Sequence, residues 1–170
     1  MHFTNEVIDK TELPKLETVV LSKLDPQYWK VVTISIIITF LVLGLGLGCL
    51  LYYQPELQIY STTIALLYGL LCVLVLGISN LSAQKKAFAF RTHDVIFKNG
   101  ILATNTIVIP YNRVQHVALQ EGFIARFFGL ATVALYTAGG SSSDIAIPGI
   151  AKEQAAGIKQ LLMGKIQNKL

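Results

Sequence analysis

The chain has 170 residues, of which 53% are hydrophobic and only 14% charged, against about 25% charged in ordinary soluble domains. Residues 31–81 hold a single charged side chain, Glu56, which excludes one soluble domain built on one large core. Residues 82–170 carry ten basic and four acidic side chains, a local balance of +6 that suits an anionic lipid surface.

The first 30 residues read as a cytoplasmic arm with four lysines and five acids. Pro14 and Pro26 rule out one continuous helix there. From Val31 to Tyr53 run 23 residues without a charge. As a helix they span roughly 34 Å, enough for a hydrocarbon core of about 30 Å. This run is too long, and too far from Met1, for a signal peptide. A second uncharged run extends from Leu57 to Gln84, with its apolar centre at residues 59–81.

Pro55 cannot continue a helix, so residues 54–58 are expected to turn, and residues 31–84 to form an antiparallel transmembrane hairpin. Tyr28, Trp29, Tyr52, Tyr53 and Tyr60 suit the two interfacial belts. Lys23 and Lys30 precede the first helix and Lys85, Lys86 and Arg91 follow the second, while the turn has no basic residue. The positive-inside rule therefore places both termini in the cytoplasm.

Gly44 with Gly48, and Ala65 with Gly69, are small residues four apart on the two helices. They are expected to pack the hairpin or to join copies in a homo-oligomer. Cys49 and Cys72 lie in the apolar runs and read as small hydrophobes. Neither apolar run holds an ionisable Asp, Glu, Lys, Arg or His, which argues against an ion pathway.

After Lys86 the pattern changes to short strand-like runs, and residues 85–170 read as a soluble domain. Residues 87–91 and 95–97 are two of these runs. Asn99-Gly100 is a hairpin signal, and Ile101–Pro110 is expected as one long strand. Arg113–Gln120 follows a turn at Pro110-Tyr111-Asn112. Gly122–Phe128 reads as a short helix or plug, its phenylalanines expected in the core and Ile124 a candidate to face the bilayer.

Leu130–Ala138 alternates, residues 139–143 turn, and Asp144–Pro148 is a last short strand. Ala151–Gln167 is expected as a helix with Ala151, Ala155, Ile158, Leu162 and Ile166 on its apolar face. The fold class is α+β: a two-helix transmembrane hairpin, then an antiparallel β domain of two packed sheets capped by a C-terminal helix.

Asn99-Gly100, then Ile109, Pro110, Arg113, Val114 and Gln115, then Arg126, Gly129 and Leu130, and then Thr137-Ala138-Gly139-Gly140 stand in a characteristic order. With the preceding hairpin, the chain resembles bacterial pleckstrin-homology proteins of the type-2 class, the YdbS-like membrane proteins. The resemblance covers essentially the whole chain and implies a seven-stranded fold, although only six strand runs are visible. It also implies a role in membrane or envelope biology, and the reading is a bacterial inner-membrane protein whose cytoplasmic domain binds a partner.

Eukaryotic relatives that grip phosphoinositides use clustered cations at the first strand-turn. The corresponding segment in this reading, Phe97–Gly100, has one lysine. Nonspecific attraction to anionic lipid remains open through Lys85, Lys86, Arg91 and Lys98. Arg113 and Arg126 either anchor a partner or hydrogen-bond loop carbonyls and a carboxylate such as Glu121, the second being expected.

His116, Ser141–Ser143 and Asp144 have the residue types of a hydrolytic triad but no nucleophile elbow. His2, His93 and His116 lack metal-ligand spacing. The expectation is a non-catalytic membrane-anchored protein with no metal and no cofactor, and no nucleic acid among its partners. Its domain would bind a protein partner or, alternatively, sense anionic lipid.

Overall fold

The computed structural model describes residues 19–137 and 145–167. Residues 1–18, 138–144 (with the turn expected at 139–143) and 168–170 lie outside them, as do the side chains of Ile166 and Gln167.

Two helices dominate the first half. Helix α1 (Tyr28–Tyr53) has 26 residues and α3 (Ser61–Lys85) has 25, joined through the one-turn α2 (Pro55–Gln58). Pro55 opens α2, where its missing N–H costs nothing. Both long helices are long and apolar enough to cross a membrane, and none of that apolar stretch is buried within the chain. Leucines such as Leu45 and Leu66 face outward, an extended apolar surface that suggests association with a membrane.

Between the helices, the Phe40 and Tyr68 rings stand 5.4 Å apart, and the Tyr68 hydroxyl donates to the Phe40 carbonyl. Thr33 donates to the Asn80 Oδ1 at 3.2 Å. Ser35 and Thr39 return their hydroxyls to the carbonyls four residues back, at 2.7 and 2.9 Å, and so need no water in an apolar setting.

The soluble half is two antiparallel sheets. The first has the order β1 (Ser22–Lys23), β2 (Ala87–Phe90), β3 (Asp94–Asn99), β4 (Asn105–Pro110). The second comprises β5 (Val114–Gln120), β6 (Leu130–Thr137) and β7 (Ile145–Ala151). A 3-10 turn, Tyr111–Arg113, leads from one sheet to the other.

Alternation sends Val95, Phe97 and Ile109 of the first sheet and Val117, Val133, Leu135 and Ile147 of the second into a common core. Helix α5 (Lys152–Gln167) closes it with Ala155 and Leu162, and Ile158 packs between them. Ala151, expected on that helix, instead ends β7.

The described residues form seven strands, one more than the sequence runs suggest. The extra strand comes from the arm. Ile101–Pro110 does not bend into two: its first four residues form a loop, and the strand begins at Asn105. Ser22 pairs with Phe88 and Lys23 with Ala87, and Leu24 is buried in the core. The whole apolar hairpin is therefore the connection between two neighbouring strands, β1 and β2.

The junction is held at several points. The Asp25 N–H donates to the Gly149 carbonyl at 2.8 Å. Opposite β6, the two residues Pro148-Gly149 face Thr132 alone, a bulge. Gly149 takes φ +65°, and a Cβ there would lie 2.6 Å from the Tyr28 ring. Glycine is the residue that fits both constraints.

Candidate functional site

The four candidate lipid contacts, Lys85, Lys86, Arg91 and Lys98, divide between two ends of the first sheet. Lys23, Ala87 and Lys98 are direct cross-strand partners, so the two lysines share one face about 10 Å apart. Lys85, the last residue of α3, donates to the Ile101 carbonyl at 3.1 Å. Lys86 follows it, half-buried, and burial pushes its ammonium below the ordinary lysine value. Lys23, Lys85, Lys86 and Lys98 thus gather where the hairpin joins the sheet. A hollow of about 410 Å³ opens there, lined by Lys23, Asp25, Tyr28, Trp29, Ala83 and Lys85.

Arg91 belongs to the other end. It closes the β2–β3 turn by a two-pronged contact with Asp94, with Nε at 2.6 Å from Oδ1. This ion pair holds its guanidinium in the charged form. The Arg91 carbonyl accepts from the buried Tyr111 hydroxyl at 2.7 Å. Its role is to close a turn, and it does not join the lysines.

The second surface is the outer edge of β4, which among the described residues pairs with β3 and with no further strand. A groove of about 520 Å³ runs along it, lined by Ile107, Val108, Ile109, Pro110, Arg113 and Thr137. Ile107 and Ile109 share the core-facing side of the strand, and Val108 faces outward. Arg113, exposed at the end of the 3-10 turn, makes no hydrogen bond or ion pair among the described residues. The arrangement offers unpaired backbone groups, an apolar floor and one available guanidinium at its end.

Arg126 is also exposed and without a partner among the described residues. The expected tie from Arg113 or Arg126 to Glu121 is not formed. Glu121 pairs instead with Lys152 at the start of α5, at 3.0 Å, and so joins that corner to the closing helix.

The phenylalanines of the plug, helix α4 (Phe123–Phe127), are likewise divided. Phe123 and Phe127 point outward, while Ile124 and Phe128 are half-buried, the reverse of the expected arrangement. The reason is helical spacing: residues 123 and 127 share one face, and only the opposite face meets the sheet.

Of the small residues in the hairpin, Gly44 meets a partner, with the Tyr68 ring 3.3–3.6 Å from where its Cβ would be. Gly48 and Gly69 have nothing within 4 Å, and Ala65 is exposed. The contact pairs Gly44 with an aromatic ring; it is not small residue on small residue.

His116 stacks on Tyr136 across the β5–β6 pair at 5.5 Å, while Ser141–Asp144 lie outside the described residues. Among the described residues no three His, Cys, Asp or Glu side chains come together as a metal site.

The family model for the bacterial PH domain matches residues 30–166. The chain belongs to that family. No curated protein and no solved structure matches it. The match covers both long helices and begins after β1, so the structure adds Ser22–Leu24 to the bacterial PH unit.

That strand also corrects the placing of the first strand-turn. In this bacterial PH domain the β1–β2 connection is the apolar hairpin, and Phe97–Gly100 ends β3 and opens the β3–β4 connection. The lysines at the hairpin's foot consequently flank the first connection after all. A two-residue strand has no periodicity to announce it, which is why the sequence hid this arrangement. The sequence signal that was available is the Pro148-Gly149 pair, which marks a bulge to which some other segment must bond.

Proposed function

We propose that this protein is a non-catalytic adaptor of the bacterial inner membrane. The hairpin spans the bilayer with both termini in the cytoplasm, and the PH domain captures an extended segment of a partner protein along β4. The single observation that carries this reading is the β4 edge, unpaired among the described residues, with a groove beside it and Arg113, without a partner among those residues, at its end.

An added strand would use the free backbone groups for affinity, and alternate side chains would enter the groove. Arg113 favours a segment with a carboxylate, from Asp, Glu or a chain terminus, at the matching position. The orientation rests on Lys23, Lys30, Lys85 and Lys86 beside the helix feet, against no basic residue near Pro55.

A photo-crosslinking residue at Val108, exposed on this edge, tests the reading in living cells. A discrete adduct that Arg113→Glu abolishes supports it. No adduct at Val108, with none at Thr106, refutes β4 as the capture edge.

A second reading, sensing of anionic lipid, is favoured by the four lysines at the hairpin's foot. Of these Lys85 bonds a carbonyl, and among the described residues none pairs with a carboxylate. Reconstitution with and without anionic lipid distinguishes it: lipid-dependent protection of residues 98–104 from proteolysis supports sensing, and identical cleavage in both refutes it.

A further inference from the structure

Phe123 and Phe127 are 80% and 77% exposed, and no other aromatic side chain of the soluble half is so free. Their rings meet edge to face at 5.3 Å, so they form one apolar knob on α4. Helix α4 packs against β6 on one side and against α1 on another. Because α1 leaves the domain at Tyr28, against Gly149, and its uncharged run starts at Val31, α4 lies beside the entry of the chain into its apolar segment.

The other foot is similar. Leu102 is fully exposed in the loop after Gly100, and that loop is tied to the last residue of α3 through the Ile101 carbonyl. Apolar tips therefore flank both feet of the hairpin. Arg126, on α4 between the two phenylalanines in sequence, supplies a cation of the kind that reaches up to phosphates while rings sink below them.

We infer that α4 is a membrane-surface anchor, with Phe123 and Phe127 seated in the interfacial layer of the bilayer beside α1. The inference rests on the reading that the hairpin spans a bilayer. The occupant is lipid because α4, which carries the knob, packs against α1 of the apolar hairpin, and a short aromatic pair with one arginine matches the headgroup boundary. Anchoring at a third point fixes how the domain sits on the membrane and hence which way the β4 edge faces.

The test uses the full-length protein in vesicles and its single tryptophan, Trp29, as an internal standard. In a Trp29→Phe background, Phe127→Trp and, separately, Phe123→Trp move the reporter to α4. Lipids brominated high on their acyl chains should quench either reporter by several-fold more than aqueous iodide does.

Strong iodide quenching with no effect of brominated lipid at positions 123 and 127, while Trp29 in the unaltered protein is quenched by lipid, overturns the anchor alone. Loss of lipid quenching at Trp29 as well, with extraction of the protein by alkaline carbonate, overturns the spanning reading and the anchor together. Shielding from both quenchers also overturns the anchor, since the knob would then be covered by protein.

Discussion

Gly149 and Gly157 make a contrast between two glycines that look alike in sequence. At Gly149 a Cβ would meet the Tyr28 ring at 2.6–2.8 Å on backbone at φ +65°. The left-handed conformation costs a non-glycine residue about 1–2 kcal/mol before any clash. Gly149→Ala should therefore destabilise the protein by roughly 2–4 kcal/mol, seen as an earlier unfolding midpoint in detergent and a change in Trp29 emission. Gly157→Ala, on α5 with nothing within 4 Å, should stabilise by about 0.5–1 kcal/mol in the same melt.

Lys86 gives a pH-dependent case. Its ammonium is half-buried, and desolvation lowers its pKa from the ordinary 10.5. At neutral pH the lysine is charged in both states but less well solvated when folded, so it opposes folding. That opposition fades as pH rises towards 10.5. Lys86→Met should raise the melting temperature at pH 7, and the gain should shrink by pH 10.5. An equal gain at both values would mean that the charge is not its cause.

At the scale of elements, legibility followed period and length. The two long helices were plain because more than twenty apolar residues in a row have few alternatives. Helix α5 was plain from its spacing, and Pro55 fixed the turn. The β3–β4 hairpin was announced by Asn99-Gly100, yet its loop extends to Thr104, folded so tightly that a Cβ added at Gly100, at φ +114°, would stand 1.9 Å from the Ala103 carbonyl oxygen. Apolar Ile101 and Leu102 imitated a strand there, as local pattern does not report whether a side chain is covered.

The same blindness affected the plug, where three phenylalanines looked like core and two of them face outward. Of the candidate sites, the lysines were legible as cations, but their grouping depends on the pairing of Lys23 with Ala87, which no local signal carries. Within the hairpin, Tyr68 is the element-scale contact, bonding the Phe40 carbonyl and filling the space over Gly44. Gly44→Leu should push the ring aside and lower the thermal midpoint in detergent by several degrees, whereas Gly48→Leu, in open space, should leave it unchanged.

For the whole molecule, the decisive fact is that the hairpin is inserted between two adjacent strands. A fragment consisting of residues 82–170 keeps six strands but loses β1, the burial of Leu24 and the Asp25–Gly149 hydrogen bond. Leu24 alone contributes about 1.5–3 kcal/mol, against a total of about 5–15 kcal/mol for an ordinary domain. Strand β2, with the sequence AFAF, would also become an open edge of the kind that invites aggregation.

The remedy follows from the register. Since Lys23 faces Ala87 directly, the two ends of the excised hairpin lie about 5 Å apart, and roughly six Gly/Ser residues suffice to join them. A chain running from residue 19 to Asp25, then such a linker, then residues 86–170, should be soluble and melt cooperatively. The fragment that starts at residue 82 should melt at lower temperature or precipitate. If instead the two melt alike, β1 contributes nothing to the domain, and the coupling of hairpin to sheet rests on the remaining contacts, Tyr28 against Gly149, α1 against α4 and the Lys85–Ile101 hydrogen bond.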